Sequence, residues 1–232
     1  MKPIVLLAYV LTVTAGLINA VTVLGLGDIF ASLMTGNVVI IGLALGGAED
    51  FSAWRSGLAI LAFLAGAALG GRIAARLKEK PLRAWLLPVA GVEATLLLAA
   101  AAISHFYIGH STDHKMAPAV LAAIALTSLA MGARNSTITE LDLPDLKTTV
   151  LTLTLSGLAA DSKLGGGKGQ HVARRVLSVL LIVAGAAVGA FLFLRFGVAL
   201  PLVVVAATVI LATALYSFTD EARRPRSELA DE

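Results

Sequence analysis

Cysteine is absent from the 232 residues, which excludes disulfides and thiolate chemistry. Charge is scarce too: Asp, Glu, Lys and Arg make up 14% of the chain, where a soluble domain carries roughly a quarter. What is there instead is apolar. Hydrophobic residues reach 58% and the mean hydropathy is +0.89, an excess that only a bilayer tolerates. Tryptophan and tyrosine are few and glycine abundant, which suits helices packed backbone to backbone. The net charge of +3 raises nucleic acid as a partner. The basic residues, however, gather in loops between apolar runs, which is the pattern of membrane orientation and not of a nucleic-acid surface.

Met1 to Ala20 has the lysine, apolar stretch and small residues of a signal peptide. Only Lys2 charges its start, and the apolar run continues through Val23 to Leu26, so it reads as a first span. Eight apolar segments follow one another, at about 4–26, 29–46, 54–77, 84–107, 117–139, 147–160, 172–196 and 198–219. Six match the ~20 residues needed to cross a hydrocarbon core. The segment 147–160 is too short, and 29–46 is interrupted by Thr35, Gly36 and Asn37. Both read as re-entrant or broken helices.

The segments correspond in order between the two halves. Gly16 and Asn19 recur as Gly132 and Asn135; Asp28, Ser32 and Thr35 as Asp145, Thr149 and Thr152. Gly66 and Gly70 recur as Gly185 and Gly189, and Pro88, Thr95 and Leu98 as Pro201, Thr208 and Leu211. One loop holds Arg72, Arg76, Lys78, Lys80 and Arg83; another holds Lys163, Lys168, Arg174 and Arg175. Both fall on one side of the membrane only if the second and sixth segments do not cross. The expected fold is therefore all-α: a polytopic transmembrane bundle of six spans plus two short re-entrant or broken helices, in two inverted repeats. The first repeat covers 1–116 and the second 117–220, with a cytoplasmic tail at 221–232 and both termini cytoplasmic.

Residues three or four apart share a helix face. Ser32, Thr35 and Gly36 would form one polar face, and Thr148, Thr149 and Thr152 its counterpart, each able to line a path. Asn37 ends the polar stretch Asp28-Ile-Phe-Ala-Ser-Leu-Met-Thr-Gly-Asn37 that carries the first of these faces. The same hydroxyls could instead bond their own helix carbonyls.

Three stretches carry a resemblance: Ala15-Gly-Leu-Ile-Asn-Ala20, Phe30-Ala-Ser-Leu-Met-Thr-Gly-Asn37, and Met131-Gly-Ala-Arg-Asn135 followed by Thr148-Thr-Val-Leu-Thr152. Together they resemble the YoaK-like family, bacterial integral membrane proteins of unknown function. The likeness extends over nearly the whole chain and implies the bacterial inner membrane. Where relatives often carry an aspartate, this chain has Asn19, and where they often carry a glycine it has Leu153.

Glu93 falls at mid-span, where an ionisable group is costly unless paired or solvated. It is a candidate for proton or cation coupling, or a partner for Arg134. Arg134 could equally hold an anionic solute or snorkel to the interface. Asn19 and Asn135 would face each other as solute ligands or as interhelical glue. Asp28 and Asp145 precede their short helices as N-terminal caps.

His110 and His114 flank Asp113 in a loop with no second matched pair, so no metal is expected. The Lys163-Leu-Gly-Gly-Gly-Lys-Gly169 stretch lacks the spacing of a phosphate loop. The Gly66/Gly70 and Gly185/Gly189 faces suit packing within the chain or across a homodimer. The expected function is a small-solute transporter or channel with a midplane site, no catalytic residue and no cofactor. The alternatives are a non-transporting membrane partner or assembly protein and an intramembrane enzyme, for which no nucleophile and base pair is visible.

Overall fold

The computed structural model describes residues 2–77, 79–108, 118–141, 156 and 172–225. The described residues form seven principal helices: α1 (Pro3–Gly25), α2 (Met34–Leu45), α3 (Ala53–Leu77), α4 (Leu82–Ile103), α5 (Pro118–Leu141), α6 (Val172–Phe196) and α7 (Ala199–Ser217). A π-helical turn, Ser104–Ile108, extends α4. Pro3 sits in the first turn of α1, where its missing N–H costs nothing. Gly27, with φ +92°, turns the chain away just beyond that helix's last residue. Six helices are long and apolar enough to cross a membrane, and α2 is the short apolar helix among the described residues.

The ends of the helices sort by charge. Ile4 N–H donates to Glu221, and Leu82 N–H donates to the Arg224 carbonyl, so the start of α1, the start of α4 and the segment after α7 meet. Arg72 and Arg76 in the last turns of α3, Lys80 between the helices and Arg83 in the first turn of α4 gather at this basic end. The opposite end carries Glu49 and Asp50 and the exposed aromatics Trp54, Phe106 and Tyr107, residues that settle at headgroup depth.

Burial separates inner from outer helices. In their apolar windows α1 is 67% buried and α5 56%, whereas α6 is 17% and α3 28%. α1 and α5 are thus the centre of the bundle, and α3 and α6 present Leu61, Leu64, Leu180 and Val183 outward. An apolar outer face is what lipid requires.

Glycine sets the closest approaches. A Cβ on Gly66 would collide with the Leu129 carbonyl, and one on Gly132 with the Phe63 carbonyl, so α3 and α5 touch backbone to backbone. Gly185 meets the Val13 carbonyl and Gly16 that of Ile182 in the same way, joining α6 to α1. Gly70 meets Ala133 as Gly189 meets Leu17. Each contact in one set has a partner at the sequence-matched positions of the other, and α4 packs on α7, the helix that carries Pro201, Thr208 and Leu211. Close backbone approach gains dispersion contacts where no hydrophobic force drives helices together. The Gly66/Gly70 and Gly185/Gly189 faces are therefore filled inside the chain.

The second apolar segment departs from expectation in two ways. The short helix expected at 29–46 begins only at Met34, because Ile29 to Leu33 is pulled out of helical geometry by side-chain bonds described below. Asp28 is consequently not its cap: the N-cap is Leu33, without a side-chain bond, and Asp28 sits in the preceding turn with φ +60°. Apart from residue 156, the short segment 147–160 lies outside the described residues, its Thr148, Thr149 and Thr152 included, as do Asp145, His110, His114 and the glycine-rich 163–169 stretch.

Candidate functional site between the central helices

Asn19 and Asn37 hold the non-helical stretch after α1. The Asn19 amide donates to Ser32 Oγ at 2.7 Å and to the Ala15 carbonyl at 3.0 Å, while its oxygen accepts Ser32 N–H at 3.1 Å. Asn37, fully buried, accepts Phe30 N–H at 2.9 Å and donates to the Phe30 carbonyl at 2.7 Å. An asparagine can satisfy a backbone donor and acceptor together, as a neighbouring strand would. Gly36 leaves room for the Phe30 ring, which a Cβ would approach to 2.7 Å. The Phe30 to Asn37 motif thus encodes a broken helix whose freed backbone groups are satisfied internally, as membrane depth demands. Replacing Asn37 by leucine is expected to strand both Phe30 groups at a cost of about 2–4 kcal/mol, seen as a lower unfolding temperature in detergent.

Because the helix starts late, the expected Ser32, Thr35 and Gly36 face does not form: Ser32 turns to Asn19, Gly36 to Phe30, and Thr35 is exposed.

Deeper in, Glu93 of α4 and Arg134 of α5 are 2% and 3% exposed and joined as an ion pair through Oε1 and Nη2. Arg134 Nη1 also donates to Thr14 Oγ1 at 2.9 Å and to the Leu11 carbonyl at 3.3 Å. Thr14 can accept because its own hydroxyl proton goes to the Leu11 carbonyl at 3.0 Å. One guanidinium therefore ties α1, α4 and α5 together. Its Nε is buried with no partner among the described residues. Of the alternatives for these residues, pairing is realised, and Arg134 does not snorkel.

Two small cavities meet at Arg134. One, of about 40 Å³, lies between α1 and α5 and is lined by Asn19, Ser32, Arg134 and Asn135 among others. The second, of about 30 Å³, runs from Glu93 and Arg134 past Thr137 and Thr213 to Leu7 and Ile4 near the basic end. Each has room for water but not for a metabolite. Asn19 and Asn135 share the first cavity, as the sequence leads one to expect of matched positions, yet Asn19 spends its bonds on Ser32 and Ala15 and not on Asn135. A third cavity, about 260 Å³, opens at the basic end beside Lys80, Trp85 and Glu140.

Thr14, Thr137 and Thr213 are not singled out by the sequence, since a lone threonine in an apolar run carries no signal. Arg55 does carry one. It stands in the first turn of α3, in register with Ala59, Ala62, Gly66 and Gly70 along the inward face, and it is 3% exposed. Among the described residues no cluster of three or more His, Asp or Glu side chains could hold a metal.

The family model described as "Protein of unknown function (DUF1275)" matches residues 7–215, nearly all of the chain. The chain belongs to this family. A similar relative is the UPF0700 transmembrane protein YoaK of Bacillus subtilis (strain 168), 28% identical over 151 residues, which are 65% of this chain and 64% of that protein. No solved structure matches. Membership brings the six apolar helices and the name of a transmembrane relative into agreement: this family member is a multi-pass membrane protein. It supplies no activity, and the site must be read from its chemistry.

Proposed function

We propose that the chain is a small-solute transporter or channel whose site is the cavity between α1 and α5 into which Asn19, Ser32 and Asn135 face, with the Glu93–Arg134 pair as the barrier on its inner side. The observation that carries this reading is Arg134's position: it lines both cavities, so breaking one ion pair would join the asparagine-lined cavity to the one that runs toward the basic end. Buried charge in a membrane bundle is expensive, and function is its commonest justification. The matched glycine contacts support the finer architecture, two inverted repeats of three spans each, with the site near their axis. The excess of Lys and Arg at one end supports an inner-membrane orientation with that end, and both termini, in the cytoplasm. Since the cavities are small, either the solute is small or α1 and α5 must part to admit it.

A flux assay tests the reading. Proteoliposomes are expected to take up at least one class among small carboxylates, amines and neutral polyols faster than protein-free liposomes. Asn135→Leu, which fills the cavity and leaves the Glu93–Arg134 pair in place, should remove most of that uptake. Uptake of no class above background would leave the pair as a structural brace and favour a non-transporting partner or assembly role.

A further inference from the structure

Among the described buried residues, three side chains carry formal charge: Glu93, Arg134 and Arg55. The first two neutralise each other, so Arg55 leaves this set one positive charge in excess. Its Nε and Nη1 are buried without a partner among the described residues, and its guanidinium forms no ion pair with them, while its backbone N–H donates to Ser52 Oγ at 3.4 Å. Its neighbour Ser56 is 0% exposed, and the hydroxyl of that serine is likewise buried without a partner among them. A guanidinium remains charged at any accessible pH and has only donors to offer. Burying it without an opposing charge is strongly unfavourable, so an acceptor brought beside it would be stabilising.

The surroundings are specific. The guanidinium packs against Gly27, where a Cβ would overlap Nη1 and lie 2.6 Å from Cζ. Gly27 also has φ +92°, so both its backbone conformation and the space beside it favour glycine. Asp28 follows directly, yet it forms no ion pair with Arg55. Arg55 stands in the first turn of α3, where the helix dipole favours negative charge, although the backbone N–H groups of Arg55 and Ser56 are already taken by the Ser52 hydroxyl and carbonyl. Trp54 beside it is 63% exposed, at the same end as Phe106 and Tyr107, which puts this turn at the depth of lipid headgroups.

We propose that Arg55 and Ser56, under the Gly27 turn at the end opposite the basic loops, form a binding site for an oxyanion, a carboxylate or phosphate group. A fork of guanidinium N–H groups suits such a group, and the unpartnered Ser56 hydroxyl adds a donor. The site is separate from the Arg134 cavity and does not depend on whether the protein transports anything.

The test is anion-dependent stability of the purified full chain in detergent. A ligand that binds only the folded state raises Tm in proportion to the logarithm of its concentration above Kd. At constant ionic strength held with sodium chloride, sodium phosphate or sodium acetate is expected to raise the parent's Tm, and Arg55→Met to abolish the rise. Arg83→Met, an exposed arginine at the basic end, should keep it. If the acceptor is a lipid phosphate, the rise appears with added phosphatidylglycerol and not with the soluble anions, and is again lost in Arg55→Met. Gly27→Ala keeps every charge but pushes the guanidinium aside; it is expected to shift the half-effective concentration up about tenfold, and serves where Arg55→Met does not fold. An Arg55-independent effect of every anion and lipid overturns the proposal. So does a uniform gain in Tm on Arg55→Met in all media, the mark of an uncompensated charge removed.

Discussion

Glu93→Ala is expected to destabilise the protein by about 3–5 kcal/mol, the range for stranding one partner of a buried ion pair. The size follows from what remains. Arg134 would keep its bonds to Thr14 and the Leu11 carbonyl but lose its counter-charge at 3% exposure. Arg134→Met should cost a similar amount by leaving Glu93 unpaired. The double variant Glu93→Leu/Arg134→Met is expected to recover most of the loss, because an apolar pair of similar volume removes both desolvation penalties. Thermal unfolding in detergent measures all three. Flux separates the roles: a structural brace would be restored by the double variant, whereas a solute barrier would be stable and still defective. Full additivity of the two single effects would show that the residues do not act as a pair.

The second large effect is expected at the glycine contacts. Gly66→Ala, Gly132→Ala, Gly16→Ala and Gly185→Ala each place a methyl group against a neighbouring backbone carbonyl, where no side chain can yield. Forcing the helices apart should cost about 1–3 kcal/mol at each site, after the small gain in helix propensity is overcome. Matched positions should suffer alike: Gly66 with Gly185, Gly132 with Gly16. Gly57, Gly71 and Gly91 have nothing within 4 Å of where a methyl group would stand, so alanine there should be neutral or raise stability by up to about 1 kcal/mol. Unfolding temperatures of the seven variants check this. Unequal losses within a pair would argue against two similar halves.

Much of this architecture is legible in the sequence because membrane physics leaves few alternatives. Apolar length gives the six spans, and α6 falls at 172–196 in both sequence and structure. Glycine spacing gives the contact faces, since only a missing side chain lets two backbones touch. For Glu93 and Arg134 the sequence leaves several readings open, and geometry is needed to choose their pairing. The 29–46 segment shows why periodicity alone misleads: spacing assigns Ser32 to a helix face, but Asn19 reaches across thirteen positions to hold it in a bend. Such a long-range bond leaves no local pattern. The Asp28 cap is lost for the same reason, as the helix it would cap starts six positions later. Arg55 is readable on its helical register but is obscured by its place at the edge of a span, where an arginine ordinarily snorkels.

The most direct test of the central claim uses the missing cysteine. Any single cysteine introduced into this chain is the sole thiol, so Ser32→Cys, Asn135→Cys and Thr137→Cys can be probed with a charged, membrane-impermeant thiol reagent in sealed vesicles of each orientation. If a solute path opens at the Arg134 site, Asn135→Cys and Ser32→Cys are labelled, and Thr137→Cys is labelled from the basic end, while Ile124→Cys and Leu97→Cys in the packed core stay unreactive. If the three cavity positions are as inert as the core positions from both sides, the interior is a closed brace and the transport reading is wrong.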